Sequence, residues 1–390
     1  MPVGREDSYR YVNVGVGTPS VPHRLLFDTG SSTSWIISSK CTQSNCPNYT
    51  ASKRPFATYN ASASSTSHEL GPYSSISYLG GGIAGVSYED KWEIDNSSWS
   101  QTFLDTNQSS WGQAPVDGFL GLAFSTIAEP NVTTVTETLM RAGMLDEPRV
   151  GIYYANSLNQ TLDVGDAGLL TLGGSHEDKY STGLQPPIPV QYSQGQYEVW
   201  RASLLAITTI RKNTDSRNTT VPGGQNVGTD FTSSKRVTTI NNLVPSGAYT
   251  VFDTGAESLG VPGSQLDALY DTIGMNYTKI LNGEYIPMCS EFTDDWAVTF
   301  SYGLSMETAT NITITGDMLI VPGFANREDA CWPPFDNSGT NEYFFLFGTR
   351  WLRNFYTVLD FGSNNASTYN PTISFGYLKD EYKTDFSKGY

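Results

Sequence analysis

The chain is 390 residues long, 38% hydrophobic and 13% aromatic, with only 16% charged residues, and at that length two lobes are the default expectation. Asp and Glu number 39 against 23 Lys and Arg, a net charge of −16 that repels nucleic acid and anionic membrane surfaces. No apolar run reaches the ~18 residues of a transmembrane helix, and the wealth of Tyr, Gly, Ser, Thr and Asn favours strands and turns over long helices.

In chain order, the opening residues Met1 to Ser8 do not read as a signal peptide, so a leader or pro-segment is expected to have been removed. Tyr11 to Val16 and Arg24 to Phe27 are predicted strands, separated by Gly17-Thr18-Pro19. Thr42 to Glu69 reads as a polar loop. Ile76 to Val86 reads as a hairpin around a run of glycines. Helical periodicity is strongest over Val135 to Met144 and Gln265 to Ile273. The polar stretch from Arg211 to Asn242 is long for a loop and is expected to be an exposed insertion or hairpin.

Four cysteines are present, Cys41, Cys46, Cys289 and Cys331. Cys41–Cys46 with Cys289–Cys331 is the simplest of the three connectivities. No metal site is expected, because His23, His68 and His176 are scattered and none lies at ligand spacing. Ten Asn-x-Ser/Thr sequons begin at Asn48, Asn60, Asn96, Asn107, Asn131, Asn159, Asn218, Asn276, Asn311 and Asn365. Together with the even cysteine count they point to the secretory pathway, a glycosylated product and an extracellular location.

One pattern occurs twice. Leu25-Leu26-Phe27-Asp28-Thr29-Gly30-Ser31 is echoed by Thr250-Val251-Phe252-Asp253-Thr254-Gly255-Ala256. Phe119-Leu120-Gly121 follows the first copy and Leu346-Phe347-Gly348 the second, with Gly121 93 positions after Asp28 and Gly348 95 after Asp253. A lone Asp-Thr-Gly arises by chance in roughly one chain in ten of this size and is an ordinary turn accepting backbone hydrogen bonds. Two copies, each behind an apolar run and each followed at near-equal spacing by the same triplet, mark two homologous lobes, expected at 1–185 and 186–390.

In each copy the apolar run predicts a buried strand and the Asp a tight turn at its end, with Gly30 and Gly255 allowing the sharp bend. Thr29 and Thr254 offer hydroxyls that can bond across a lobe interface. Two such turns facing one another would bring Asp28 and Asp253 into contact. Like charges that close cannot both ionise, so the pair shares one proton. One carboxylate then takes a proton from water while its protonated neighbour polarises a peptide carbonyl. Neither Gly80-Gly81-Gly82 nor Gly15-Val16-Gly17 makes a phosphate loop, since the Lys-Ser/Thr, the third glycine or the following helix is missing.

At these residues the chain resembles the pepsin-like aspartic peptidases, closest in flavour to secreted fungal members, and the likeness covers essentially all of it. Phe27-Asp28-Thr29-Gly30-Ser31-Ser32 with Trp35 is similar to the first active-site motif, Val116 to Ala123 to the buried strand behind it, and Tyr356 to Asp360 and Ile373 to Gly376 to the closing strands. The resemblance implies a mainly β, bilobal fold with a substrate cleft, both cysteine pairings above, and synthesis as a zymogen with its own propeptide as partner before activation. It further implies a monomeric endopeptidase acting on polypeptides without cofactor. Tyr78 would be the tyrosine of a flap over the substrate and Trp35 its partner, with Ser31 supporting Asp28.

Three departures carry expectations. Ala256 stands where a hydroxyl commonly follows the second glycine, so Asp253 should ionise less readily. Glu257 brings a carboxyl near the site, either as a solvated rim charge or as a substrate-selecting one. Leu79-Gly80-Gly81 follows Tyr78 where a Gly is usual first, and Gly80 sits where some fungal relatives carry an Asp that accepts basic side chains. Poor cleavage after Lys and a preference for apolar or aromatic residues at the scissile bond follow. The rival readings are a catalytically silent binding protein on the same fold and an enzyme with a non-peptide substrate.

Overall fold

The computed structural model describes residues 1–7, 9–47, 56–111, 114–155, 161–212, 235–239 (as backbone) and 244–383. The sequons at Asn48, Asn159 and Asn218, the middle of the Thr42 to Glu69 loop, and most of the 211–242 insertion lie outside the described residues.

The chain is mostly strand, in two sheets. Among the described residues the first has 15 strands: thirteen run from Ser181–Leu184 through Thr372–Leu378, Phe355–Asp360, Arg149–Tyr154, Gly168–Leu172, Pro2–Glu6, Tyr9–Val16, Val21–Asp28, Gly118–Gly121, Trp35–Ile37, Ser97–Ser109 and Gly81–Ile94 to His68–Tyr78, while Thr161–Leu162 pairs with Pro2–Glu6 and Ile188–Pro189 with Thr372–Leu378. The second has eight and runs from Thr310–Thr315 through Trp296–Tyr302, Arg201–Lys212, Tyr249–Phe252, Phe344–Phe347 and Leu259–Val261 to Asp336–Asn337. The strand Lys235–Thr239 pairs antiparallel with the end of Arg201–Lys212, so the insertion begins and ends as a hairpin.

The internal repeat is visible in the pairing register. Val21–Asp28 lies parallel to Gly118–Gly121, with Asp28 opposite Gly121, and Tyr249–Phe252 lies parallel to Phe344–Phe347, with Phe252 opposite Phe347. In each half the next strand after the aspartyl turn, Trp35–Ile37 or Leu259–Val261, returns antiparallel to that same partner. The apolar runs are buried because each is covered on both faces, as an interior strand must be: Leu25, Leu26, Phe27, Val251 and Phe252 are all at most 7% exposed.

The closing strands do not stay with the second half. Phe355–Asp360 pairs with Arg149–Tyr154 and Thr372–Leu378 pairs with Ser181–Leu184, so the end of the chain completes the first sheet. The two helices expected from periodicity are present, the first at Val135–Arg141, ending short of Met144, and the second at Gly263–Ile273, starting before Gln265 and stopped by Gly274 at φ 87°. Cys41–Cys46 and Cys289–Cys331 are both bonded, as expected. No described helix is long and apolar enough to cross a membrane.

Candidate active site

The two aspartyl turns meet across the halves and are tied together by four hydrogen bonds. The Thr29 amide donates to Thr254 Oγ1 at 3.0 Å and the Thr254 amide to Thr29 Oγ1 at 2.9 Å. Each hydroxyl passes its own proton across, Thr29 Oγ1 to the Phe252 carbonyl at 2.7 Å and Thr254 Oγ1 to the Phe27 carbonyl at 2.6 Å. Both threonines are buried, so no water competes and each bond is worth about 1 kcal/mol net. The grip is reciprocal: each hydroxyl accepts from one turn and donates to the strand feeding it.

This grip brings the carboxyls of Asp28 and Asp253 into hydrogen-bonding contact. The glycines matter for a different reason from the one the sequence suggests. Neither Gly30 nor Gly255 has a positive φ. A Cβ on Gly30 would stand 2.6 Å from the Asp253 Cγ, and one on Gly255 would stand 2.7 Å from Asp28 Oδ1. Each is therefore a glycine because the opposite carboxyl occupies the space a side chain would take.

The two carboxyls are not equivalent. Asp28 accepts from the Gly30 amide at 2.8 Å and from Ser31 Oγ at 2.5 Å. Asp253 accepts from the Gly255 amide at 2.7 Å and from the Ala256 amide, but the Ala256 side chain, at the position matching Ser31, has no hydroxyl to offer. Burial first, and then the adjacent Asp28 carboxyl, hold Asp253 well above the usual aspartate range. Installing a hydroxyl by Ala256→Thr is expected to favour the charged form of Asp253 and to move the neutral-side limb of the pH–rate profile toward acid; a limb superimposable on the parent's would contradict this role for position 256.

The hairpin predicted near Ile76 to Val86 is longer than expected, pairing His68–Tyr78 with Gly81–Ile94 and closing with Tyr78 opposite Gly81. Tyr78 is packed edge-on against Trp111 at 5.2 Å and tilted on Phe119 at 5.7 Å between ring centroids. Its hydroxyl faces Asp28, Trp35 and Ser31, and burial pushes that hydroxyl's pKa up. Trp35 is fully buried and stacks on Phe119 at 4.7 Å. Gly80 and Gly81 let the hairpin tip close on Trp111, whose ring or backbone a Cβ would meet at 3.1 and 2.7 Å. Sequence reasoning missed Trp111, two residues beyond the Ser97–Ser109 strand; its aromatic character beside two serines was the available signal.

Between hairpin and turns lies a cleft of about 920 Å³. Leu26, Trp111, Phe119, Val251, Phe344 and Leu346 give it apolar walls, and Glu257 is its one carboxylate outside the aspartate pair. The Ala256 to Ser258 wall is fixed by amides of Gly348, Thr349 and Arg350 donating to the carbonyls of Ser258, Ala256 and Glu257 at 2.7, 2.8 and 3.1 Å. Beneath the pair, the Tyr154 ring stacks on Phe27 at 5.8 Å, and its hydroxyl faces Thr254 and Asp253. No group of His, Cys, Asp and Glu among the described residues could hold a metal ion.

The sequence matches the family model described as eukaryotic aspartyl protease over residues 9–369. Among curated proteins it is 24% identical to Pepsin-3 of Oryctolagus cuniculus over 370 residues, covering 92% of this chain and 80% of that protein. It is 26% identical to Renin of Canis lupus familiaris over 365 residues, covering 92% and 78%, and 25% identical to Gastricsin of Mus musculus over 373 residues, covering 94% and 81%.

Proposed function

Given that this chain belongs to the eukaryotic aspartyl protease family, we propose that it is a secreted, glycosylated endopeptidase that works in acid, with Asp28 and Asp253 as its catalytic pair. The observation that carries this reading is the reciprocal Thr29–Thr254 grip, which presents the two carboxyls to one cleft at contact distance. An aspartic-type endopeptidase needs neither metal nor covalent nucleophile for this chemistry.

Burial and the neighbouring carboxyl raise the pKa of Asp253, so the shared proton rests on Asp253 and Asp28 serves as the base. Asp28 takes a proton from the attacking water as its oxygen bonds to the peptide carbon, and Asp253 gives its proton to the carbonyl oxygen. The tetrahedral intermediate then returns a hydroxyl proton to Asp253 while Asp28 protonates the leaving nitrogen, and the C–N bond breaks. One water is consumed, one acid and one amine appear, and both aspartates regain their starting states. Tyr78 closes over the bound peptide, and Thr29, Ser31 and Thr254 hold the pair in register.

Acid working conditions are supported by the fold's own titration. Asp253 and the buried Asp105 both have pKa values raised chiefly by burial above the ordinary 3.8. A carboxyl raised in the folded state contributes stability that is full below 3.8 and is lost as pH rises through the folded value. His23 works the other way: burial lowers its pKa below 6.5, so its contribution is present above that value and declines as pH falls. Asn60, Asn96, Asn131, Asn276, Asn311 and Asn365 are exposed, as glycan acceptors must be. The lobe division proposed is 1–185 and 186–390, with the strands Phe355–Asp360 and Thr372–Leu378 of the second half lent to the first sheet, and before activation the chain's own propeptide would occupy the cleft.

The apolar walls and the absence of a carboxylate at Gly80 favour apolar or aromatic residues on both sides of the scissile bond. Digestion of a peptide library at acid pH is expected to give cuts between such residues and few after Lys. Efficient cleavage after Lys would overturn the specificity, and no cleavage by folded, propeptide-free protein would favour a binding role for the cleft.

A further inference from the structure

A second cluster of ionisable groups lies behind the aspartate pair and has no part in the proton transfers above. Arg5 and Arg10 are direct cross-strand partners where Pro2–Glu6 pairs with Tyr9–Val16. Arg350 and Arg353 lie one turn apart on and just after the short helix Thr349–Leu352. Arg10, Arg350 and Arg353 are 3%, 8% and 7% exposed. Arg10 stacks over the Tyr154 ring at 4.7 Å, but among the described residues its Nε and Nη1 have no acceptor, and neither does Nε of Arg350 or of Arg353. Arg353 spends one N–H on the Ile320 carbonyl at 2.9 Å, and Arg350 one on the Pro333 carbonyl at 2.7 Å.

The charges do not balance. Asp336 lies 3.3 Å from Arg350, and Asp7 and Glu257 attract Arg5. For Arg10 and Arg353 the attracting carboxylate is Glu257, which is exposed and shared with Arg5, while Arg10 is repelled by Arg5, and Arg353 by Arg350, Arg10 and Arg5. Burial, then this repulsion, pushes Arg10 down to about 10 and Arg353 down to about 9. A guanidinium nonetheless keeps its proton in a protein. Buried positive charge with unused N–H donors needs a counter-ion.

We propose that the Arg10–Arg353 cluster binds a small monovalent inorganic anion, seated on the free Nε and Nη1 of Arg10 and shared with Arg353. One charge is the requirement, since two buried guanidiniums face one exposed carboxylate. Tyr154 joins this site to the aspartate pair, with Arg10 against its ring and Thr254 at its hydroxyl.

The test is thermal unfolding at fixed ionic strength with chloride progressively replacing gluconate, whose bulk excludes it from a buried site. A saturable rise in Tm of about 3 °C is expected, with saturable broadening of the ³⁵Cl resonance on the same protein. Arg10→Met should abolish both responses, and should melt higher than the parent in gluconate because it removes an uncompensated buried charge. A parental Tm indifferent to the anion, or an Arg10→Met variant that responds as the parent does, overturns the site. Should that variant not fold, absence of saturable ³⁵Cl broadening in the parent overturns it alone.

Discussion

Asp28→Asn is expected to lower kcat on a denatured protein substrate by about 10³–10⁴-fold, with the melting temperature close to the parent's. The two halves of that result have separate causes. An asparagine keeps an oxygen to accept from the Gly30 amide, and its amide nitrogen can donate to Ser31 Oγ, so both neighbours of the carboxylate stay satisfied. What it cannot do is take up the proton of the attacking water, and no other base among the cleft residues lies in contact with Asp253. Asp253→Asn should fail for the complementary reason, having no proton to give to the carbonyl oxygen. A folded Asp28→Asn enzyme retaining a tenth or more of parental kcat would remove Asp28 from the chemistry and leave the cleft as a recognition surface.

Thr254→Ala should damage stability and rate together. The substitution strips the Phe27 carbonyl of its donor at 2.6 Å and the Thr29 amide of its acceptor at 3.0 Å, in a place closed to water. Two orphaned buried backbone groups cost about 2–5 kcal/mol. The turns are then free to shift, and a misplacement of about 1 Å between reacting groups costs on the order of 100-fold in rate. Thr254→Ser keeps the hydroxyl and should restore most of both. Because Thr29 and Thr254 share one network, Thr29→Ala added to Thr254→Ala should cost less than the sum of the two singles by about 1 kcal/mol or more. Additive losses in urea unfolding, or a Thr254→Ala protein with parental kcat, would mean that the grip does not hold the aspartates.

The asymmetry of the pair is the feature that most distinguishes this site. Ser31 against Ala256 is a difference of one hydroxyl between two otherwise matching turns, and it gives Asp28 a side-chain donor where Asp253 is left with the Gly255 and Ala256 amides. That difference is legible from sequence because both residues fall at the same offset from their aspartates. Its consequence depends on the short Ser31–Asp28 bond and on the contact between the carboxyls, which no local pattern specifies.

The amino-acid sequence by itself determined the duplicated aspartyl turns, the strands that carry them and the hairpin beside the cleft. These are local: an apolar run followed by Asp-Thr-Gly has the same turn chemistry wherever it occurs, and the near-equal spacing to Gly121 and Gly348 marks the same strand order twice. Only the tertiary structure decided that the last strands cross to the first sheet, that Trp111 and Phe119 back Tyr78, and that Gly30 and Gly255 make room for the opposite carboxyl rather than for their own bend. It alone set Arg10 over the Tyr154 ring and brought the distant Arg353 within electrostatic reach of Arg10. Strand pairing and side-chain contact join residues hundreds of positions apart through backbone groups and surfaces that are chemically alike in every strand, so the choice among partners is made by the packing of the whole chain.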